Sequence, residues 1–475
     1  MFAFSLRPSV GLNGAKLNAA RMSAVFVQIG QCGNQVGHSF WSESVDILHC
    51  ENKKTGTKHG KNPSYSERLN SLLTNSGKLP LILLDSEAKP ATLFRTSGDL
   101  GHFVREENVI IEKTGRGGNW AFGYCGDRKV LGKGGDRNEL LDLVIGRHRR
   151  ELERSEHFTG TVVFHSLAGG TGSGLGSRLV EELRSEHPKS FLLSVAVAPH
   201  SLGESPLQHY NALLTLSHLQ QFADGVVLFQ NDSVLEDTSN LKTSLQKPGA
   251  SKAQPPSSVS LADMNSYIGG CMANALMPIY TSSMHSRISC SAKFEHRLWD
   301  LISTGCPDSK MKFLTPVYAH NSLSGRASWD KLATRLKHTS SMSPAFAGCK
   351  RMHTSSLFAM ARMSSDSMVD FDRGVSAKLK LDFQKHFNFS DDKLKSPYLC
   401  LQSPEPNFSQ RKSVSAFCNS SIVCGFVGDV LQKSKVKLDS GAYLHWYSRY
   451  GCHAEDFGAA TETCRGVLER YMQIP

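Results

Sequence analysis

The sequence lacks three features that would assign it to a familiar class. No apolar run is long enough to cross a bilayer, so any membrane association would be peripheral. The 12 cysteines are dispersed without a CxxC pair, which argues against zinc fingers and secreted disulfide frameworks. Basic residues interleaved with aromatics are also missing, although the net charge is +11. We therefore expect a protein of the reducing cytosol with no nucleic-acid partner, whose positive charge is a solvated surface or meets an acidic protein.

The chain is long enough for more than one domain. Its 475 residues exceed what a single core usually holds, and 40% hydrophobic with 20% charged residues is typical of a globular protein. Residues 1–22 carry three basic residues and no acid, as transit peptides do. Met22 directly precedes the first predicted strand, however, which favours an upstream start codon. We predict a disordered N-terminal extension here.

Apolar strands alternate with glycine turns and amphipathic helices between residue 24 and about residue 230. The predicted strands are Ala24–Ile29, Leu79–Asp85, Thr161–Leu167, Ser190–Pro199 and Asp224–Gln230. Thr161–Leu167 is apolar at nearly every position, as expected of a parallel strand covered on both faces. The alternation predicts an α/β fold with a doubly wound parallel sheet, in which ligands bind at the carboxyl ends of the strands.

The remainder of the chain predicts a core helix, a second α/β domain and C-terminal helices. Helical character runs from Ala262 to Ser289, and KFLTPVYA follows as a strand. Near the end, AYLHWYSRY and ETCRGVLERYM have helical spacing, and Trp446 and Tyr447 are predicted to pack these helices on the core. The predicted units are residues 1–22, a nucleotide-binding domain at 23–230, a core helix with an intermediate domain at 231–412, and a helical region at 413–475.

Three polar stretches are predicted to be exposed loops or disordered insertions. They cover residues 51–66, 240–258 and 339–367. The methionines Met360, Met363 and Met368 are assigned to a flexible insertion of the same kind.

The segment HSLAGGTGSGLGS, residues 165–177, has the composition of an anion-binding loop. Glycine allows a ligand to approach the backbone, and successive amides before a helix N-terminus favour phosphate. The segment lacks the lysine of a Walker loop, and its spacing does not fit GxGxxG. Gly30–Gly37 and Gly115–Tyr124 supply two further glycine turns, and three turns at one sheet edge can surround a polyphosphate. The alternative is a tight strand-to-helix turn without a ligand.

Acidic residues follow the second predicted strand. Asp85 and Glu87 are candidates to hold Mg²⁺ through water molecules. The alternative is a pair of solvated loop carboxylates. His165, inside an apolar strand, is predicted to be a packed histidine rather than a ligand.

Taken together, these motifs resemble those of the tubulin superfamily. QIGQCGNQVG, GGNWAFGY, HSLAGGTGSG and YLHWYSRYGCHAEDF occur in the family's order, and the resemblance covers the chain from about Ser23 to Tyr471. Ala168, NALLTLSHL and the short end after Glu469 resemble the delta type. The resemblance implies a cytoskeletal protein with GTP or GDP and Mg²⁺ at a subunit contact. It further implies action at the centrioles and basal bodies of cilia, with other tubulins, microtubule ends and centriolar proteins as partners.

The resemblance also implies the residues around the nucleotide. They are Gly30, Gln31, Cys32, Gln35, Gly117, Gly118, Asn119, Ser166, Gly169, Gly170, Thr171, Gly172, Ser173, Gly174, Glu204, Asn231 and Asn265. Cys32 would act through its backbone, and Glu204 would meet the ribose together with Gln208. Asn231 and Asn265 would recognise guanine, because amide side chains can both donate and accept hydrogen bonds. Glu87 matches the Mg²⁺-linked acid, and Asp85 supports it.

Three departures from the family pattern bear on function. Gly118 replaces an asparagine near the terminal phosphate, and Leu261 replaces an aromatic that stacks on the base. The family's water-activating acid acts on a neighbouring subunit, and in Lys293–Pro307 it corresponds to Glu295 or Asp300, or to Arg297, which would abolish hydrolysis. All three could equally be ordinary surface charges. A nucleotide-free scaffold and a stand-alone GTP hydrolase therefore remain alternatives.

Overall fold

The fold is described by a computed structural model of the chain. It describes residues 24–48, 69, 72–87, 98–112, 115–126, 139–155, 158–203, 205–245, 258–277, 297–322, 332, 353–363, 398–403 and 410–474.

Six parallel strands form the first part of the sheet. They are β1 (Ala24–Ile29), β2 (Leu81–Asp85), β3 (Val109–Ile111), β4 (Gly160–Ser166), β5 (Phe191–Ala198) and β6 (Gly225–Gln230). Their spatial order is β3-β2-β1-β4-β5-β6, so the direction of winding reverses between β1 and β4. The predicted doubly wound α/β fold is therefore confirmed. The short edge strand β3 was not predicted, because three residues carry no readable pattern.

Helices cover both faces of this sheet. Those described are α1 (Gly30–Leu48), α2 (Gly98–Gly101), α3 (Trp120–Cys125), α4 (Glu139–Glu153), α5 (Gly176–Glu186), α6 (Gln208–Phe222), α7 (Asn231–Leu245), α8 (Leu261–Leu276), α9 (Arg297–Gly305), α10 (Val423–Asp439), α11 (Leu444–Ser448) and α12 (Ala454–Met472). One apolar core lies between the sheet and α4, α5, α6, α10 and α12, and a second lies between the sheet and α1, α8 and α9. In β1, Val25 and Val27 face the first core while Phe26 faces the second, which explains why its sequence is apolar at every position but Gln28. Within the ranges given above, no helix is both long and apolar enough to cross a membrane.

Four strands extend the sheet into a second part. They are β7 (Phe313–Ser322), β8 (Thr354–Met363), β9 (Tyr398–Ser403) and β10 (Gln410–Ser420), and the order continues from β6 as β7-β10-β8-β9. Strand β10 is antiparallel to both β7 and β8. Strand β7 joins β6 through the pairs Val226–Phe313 and Val227–Leu314.

The core helix α8 connects the two parts. Gly269 contacts α1 so closely that an added Cβ would lie 2.7 Å from the amide nitrogen of Phe40. Farther along, Asn274 Nδ2 donates to the carbonyl oxygen of Met360 in β8 at 2.9 Å. Arg362, also in β8 and fully buried, donates through Nε to the carbonyl oxygen of Asn274 at 2.9 Å. The end of the helix is therefore fixed to the second part of the sheet by buried polar contacts, which satisfy its last carbonyls.

Some predicted boundaries need correction. The polar stretch 339–367, predicted as an insertion, contains β8, where Met360 is fully buried. Serines and methionine lowered the apparent apolar character of this strand, although both of its edges are paired. Helix α7 continues to Leu245, inside the predicted polar stretch 240–258. Met363 ends β8, whereas Met368, residues 51–66 and residues 1–22 lie outside the described residues. The division at residue 413 stays a prediction, and β10 crosses that position.

Candidate functional site

Three glycine loops meet at the carboxyl end of the parallel strands. Gly30 follows β1, the segment Ser166–Leu175 follows β4, and Gly115–Asn119 leads into α3. A Cβ placed on Gly30 would lie 3.2 Å from the amide nitrogen of Gly172, and one on Gly170 would lie 2.5 Å from the carbonyl oxygen of Arg116. The three loops are therefore in contact. They lie where the winding reverses between β1 and β4, which is the usual ligand position in such sheets.

The loop after β4 is partly exposed at Ser166, Ala168 and Gly169 and buried from Gly170 onward. Gly170–Leu175 form a wide π-helical turn that leads directly into α5, and all six residues are buried. The amide of Ser173 donates to the carbonyl oxygen of Gly169 at 3.2 Å, and Thr171 Oγ1 lies 2.6 Å from Ser86 Oγ after β2. Gly169 is different, because a Cβ there would meet no atom within 4 Å. The accessible edge of the loop is thus Gly169, in front of a helix N-terminus that attracts anions.

The loop before α3 presents two glycines to open space. Gly117 and Gly118 have φ angles of +55° and +63° and are exposed. Glycine adopts this left-handed conformation without strain, and asparagine tolerates it better than most residues. The replacement of asparagine by Gly118 therefore fits the backbone.

Both polar atoms of the Asn119 side-chain amide make hydrogen bonds within the protein. Its Oδ1 accepts from the amides of Ala121 at 2.8 Å and Phe122 at 3.3 Å, and so caps α3. Its Nδ2 donates to the carbonyl oxygen of Trp446 in α11 at 3.1 Å. Its backbone N–H donates to the carbonyl oxygen of Arg116 at 3.1 Å and its carbonyl oxygen accepts from the amide of Gly123 at 3.1 Å, so this buried residue has a structural role.

The first loop combines a fixed turn with accessible side chains. Gly30 has a φ of +72°, and Gln31 beside it is exposed. Cys32 is half-buried, and burial raises the pKa of its thiol to about 12. The thiol therefore stays neutral, as a residue acting through its backbone allows. Gln35 lies one turn farther along α1 and is partly exposed.

A carboxylate with unfilled hydrogen-bonding capacity lies beside these loops. Asp85 is only 2% exposed, and burial raises its pKa to about 6. Its Oδ1 accepts from the amide of Glu87 at 3.2 Å, and Asn34 Nδ2 is a distant 3.5 Å from Oδ2. Asn34 Oδ1 is buried and has no hydrogen-bond partner among the residues described. Glu87 is exposed, and a Cβ on Gly115 would lie 3.8 Å from its Oε1.

This set of oxygen atoms fits a hydrated magnesium ion. Carboxylate and amide oxygens are the ligands that a hard cation prefers, often through its water molecules. In the described part of the chain, no three His, Cys, Asp or Glu side chains form a metal cluster. Asp85 and Glu87 would therefore share the ion with water and with the phosphates of a ligand.

Comparison with known proteins agrees with this geometry. The family model for the Tubulin/FtsZ family GTPase domain matches residues 23–239, which contain all three loops and the two acids. The chain is therefore similar to the tubulin family. A tubulin delta chain from Macaca fascicularis is 26% identical over 95% of this chain and 100% of its own length, and the values for the delta chain of Homo sapiens are the same. A tubulin beta-1 chain from Geotrichum candidum is 26% identical over 94% of both chains. The family resemblance predicted from the motifs is confirmed.

The amide side chains assigned to guanine lie on two helices that pack against each other. Asn231 begins α7 and Asn265 belongs to α8, and both are partly exposed. Tyr267 Oη in α8 donates to Asp237 Oδ2 in α7 at 2.9 Å, which joins the two helices. Leu261 at the start of α8 is 66% exposed, so it presents an apolar side chain but no aromatic face. The assignment of Asn231 and Asn265 to the base stays a prediction.

Gln208 and Glu204 are the two residues assigned to the ribose. Gln208 is buried at the start of α6, and its Nε2 donates to the carbonyl oxygen of His200 at 3.2 Å. It therefore secures the loop after β5. Glu204 lies outside the described residues.

The candidate acid for hydrolysis lies near the amino-terminal ends of the parallel strands, whereas the glycine loops lie at their carboxyl ends. Asp300 is in α9, where the neighbouring Trp299 ring is 4.9 Å from the ring of Phe191, the first residue of β5. A strand of this length spans about 20 Å, so Asp300 cannot reach the glycine loops of its own chain. Arg297 begins α9, and Glu295 lies outside the described residues.

Sequence reasoning missed one residue that organises the glycine loops. Asn211 in α6 is 0% exposed, and its side chain contacts both the Gly115–Asn119 loop and the loop after β4. An asparagine inside the apolar run YNALLTL was the available signal, because a buried amide needs several partners.

Proposed function

We propose that this protein is a GTP-binding tubulin of the delta type, a structural component of the microtubule cytoskeleton. One observation carries the proposal: three glycine loops converge at the reversal of a parallel sheet and leave Gly169 accessible before a helix N-terminus. The phosphates of GTP or GDP bind the amides of Gly169, Gly170, Thr171 and Gly172. Gln31 and Cys32 contribute from the first loop, and Gly117 and Gly118 from the loop before α3. Asn231 and Asn265 recognise the guanine. The similarity of residues 23–239 to the Tubulin/FtsZ family GTPase domain supports this assignment.

Asp85 and Glu87 hold Mg²⁺ in this proposal. The ion supplies positive charge that offsets the phosphates, a role that no lysine fills in this loop. Asp85, buried at the end of β2, and Glu87, which is exposed, would hold the ion through its water molecules. Asn34 Oδ1 is placed to accept from one of these waters.

The nucleotide is proposed to lie at a contact between subunits. The glycine loops lie at the carboxyl ends of the parallel strands, and α9 lies near their amino-terminal ends. Head-to-tail stacking of subunits would bring α9 of one subunit to the loops of the next, as heterologous contacts do. Asp300 would then act only on a neighbour's nucleotide. This placement disfavours a stand-alone GTP hydrolase. For a stand-alone enzyme, the rate of hydrolysis per subunit would not depend on the protein concentration.

The cellular role is proposed from the relatives. Delta chains of Macaca fascicularis and Homo sapiens match almost the whole chain, and Ala168 belongs to the motif that resembles that type. We therefore propose a cytoplasmic protein at centrioles and basal bodies. Its partners would be other tubulins or microtubule ends, together with centriolar proteins.

The first experiment is to purify the protein without added nucleotide, denature it, and identify what is released by ion-exchange chromatography. Near-stoichiometric GTP or GDP is expected. A nucleotide-free scaffold is the second candidate, favoured by the missing aromatic at Leu261. A site that stays empty after GTP and Mg²⁺ are added would establish the scaffold and overturn the proposal.

A further inference from the structure

Asn211 uses every hydrogen-bonding position of its side chain. Nδ2 donates to the carbonyl oxygens of Gly118 at 2.7 Å and Ala168 at 2.6 Å. Oδ1 accepts from the amide of Trp120 at 2.9 Å and from Tyr447 Oη at 2.6 Å. An amide offers two donors and two acceptor positions, so none is left over. One buried residue therefore holds two of the glycine loops and one C-terminal helix.

The bond to Ala168 fixes the direction of the next amide. In a planar trans peptide, the carbonyl of one residue and the N–H of the following residue point in opposite directions. Because the Ala168 carbonyl points to Asn211, the N–H of Gly169 points away from Asn211. Gly169 is the position of this loop that borders open space. Asn211 thus fixes the direction of the Gly169 N–H, which points away from the buried Asn211 side chain.

The bond to Gly118 acts on the second loop. Gly118 is left-handed, and the following amide, that of Asn119, donates to the carbonyl oxygen of Arg116 at 3.1 Å. This peptide is therefore held at its N–H by Arg116 and at its carbonyl oxygen by Asn211. Its bond to Asn211 holds this turn against the loop after β4.

We propose that Asn211 is a positioning residue that orients peptide groups for phosphate binding in two of the three glycine loops, the one before α3 and the one after β4. The inference rests on the proposed function, because it takes nucleotide phosphate as the ligand. Asn211 does not touch the ligand and acts through the Ala168–Gly169 and Gly118–Asn119 peptides.

Helix α11 belongs to the same arrangement. Tyr447 is fully buried, with its ring 5.5 Å from that of Tyr210 and 5.2 Å from that of Phe457, so its hydroxyl is held toward Asn211. One residue earlier, the carbonyl oxygen of Trp446 accepts from Asn119. The C-terminal helical layer therefore supports Asn211 from the side opposite to the loops.

The test compares Asn211→Asp with a matched variant. Aspartate keeps the shape and the acceptor oxygens but loses both donors to the loop carbonyls. Asn419 is the control, because it is also fully buried and its Nδ2 donates to two backbone carbonyls, Gly305 at 2.9 Å and Met311 at 2.7 Å. Both of these carbonyls lie at the amino-terminal edge of the sheet, away from the glycine loops.

The readouts are the binding of a fluorescent GTP analogue with Mg²⁺ and the melting temperature of nucleotide-free protein. Both variants should melt at a lower temperature. Only Asn211→Asp should also weaken nucleotide binding, by at least about tenfold, with faster release, because a donor to a charged phosphate is misdirected. Tyr447→Phe keeps both loop bonds and should speed release by a smaller factor, about two- to fivefold.

The outcomes separate the two proposals. Wild-type protein that does not bind the analogue overturns the proposed function and this inference with it. Wild-type binding with unchanged affinity in Asn211→Asp overturns the inference alone, as does an equal loss in Asn419→Asp. If the aspartate variants do not fold, Tyr447→Phe decides, and an unchanged release rate is the contrary result.

Discussion

Glycines in the loop after β4 differ in what they tolerate. A methyl group on Gly174 would lie 2.1 Å from the carbonyl oxygen of Trp120, a distance that backbone atoms cannot accept. Gly169 has a φ of −84°, which any residue adopts, and open space beside it. Gly174 is therefore required by packing, whereas Gly169 is free to serve a ligand.

Alanine at these two positions should separate folding from binding. Gly174→Ala is expected to lower the free energy of unfolding by about 1–3 kcal/mol through overpacking. Gly169→Ala should leave stability nearly unchanged and weaken GTP binding, because the methyl group enters the space of the phosphates. Denaturant unfolding and nucleotide titration measure the two effects. Full GTP affinity in Gly169→Ala would show that phosphate does not approach there.

Asp85 bears a charge that burial disfavours. Its pKa is raised from 3.8 to about 6, so ionisation at neutral pH costs the nucleotide-free protein about 1–3 kcal/mol. Asp85→Asn should therefore raise the melting temperature of that form. The same change should weaken the dependence of GTP binding on Mg²⁺, measured by titration with and without a chelator. Unchanged Mg²⁺ dependence would remove Asp85 from the metal site.

His165 makes stability depend on pH. It is 1% exposed, its Nε2 lies 2.7 Å from Ser194 Oγ, and burial lowers its pKa from 6.5 to about 4. It is therefore a packed strand histidine, as expected. Between pH 6.5 and 4, this histidine binds a proton in the unfolded chain but stays neutral in the folded chain. The free energy of unfolding therefore falls as the pH drops from 6.5 toward 4.

This contribution can be isolated with His165→Gln. Between about pH 7 and about pH 5, the wild-type protein should lose about 2 kcal/mol more unfolding free energy than the variant. Denaturant unfolding at the two pH values gives the difference. Parallel losses in both proteins would assign the acid sensitivity to other groups.

Helix α12 completes the junction between the two parts of the sheet. Tyr471 Oη accepts from the amide of Phe313 at 3.0 Å and donates to its carbonyl oxygen at 3.1 Å. Phe313 lies in one of only two residue pairs that join β7 to β6. The tyrosine hydroxyl thus takes the place of a strand partner for this residue.

Tyr471→Phe should therefore weaken the fold. Both peptide groups of Phe313 lose a buried partner, at an expected cost of about 1–3 kcal/mol in unfolding free energy. Tyr443→Phe is a suitable control, because Tyr443 is partly exposed. Equal stability of Tyr471→Phe and wild type would show that the two bonds contribute little.

Secondary-structure elements were predicted best where a short sequence pattern identifies them. Strands β1, β4, β5 and β6 are mostly apolar runs, as expected of parallel strands buried on both faces. Strand β8 was missed, because its partners β9 and β10 are distant in sequence and only pairing reveals its burial.

Single contacts were harder to predict than strands. Tyr447 was correctly predicted to pack on the core, whereas Trp446 is 51% exposed and contributes its carbonyl oxygen. The bond between Asn211 and Tyr447 joins residues 236 positions apart, which no local pattern encodes. The loops were therefore predictable from sequence, but their supports were not.

The charge of the whole molecule has a consequence for association. With a net charge of +11, the protein should be attracted to the acidic surface of microtubules. The screening length falls from about 30 Å at 0.01 M salt to about 8 Å at 0.15 M. Co-sedimentation with microtubules should therefore fall steeply over this range. Binding that ignores salt would rule out an electrostatic origin.

The contact between α11 and the glycine loops has a consequence for the order of synthesis. The loops leave the ribosome early, but Tyr447 and Trp446, which support Asn211 and Asn119, follow more than two hundred residues later. A nascent chain therefore carries its glycine loops for most of translation without these supports. Nucleotide would be retained firmly only after the C-terminal helices have emerged and docked, so loading is expected to be one of the last steps in making this protein.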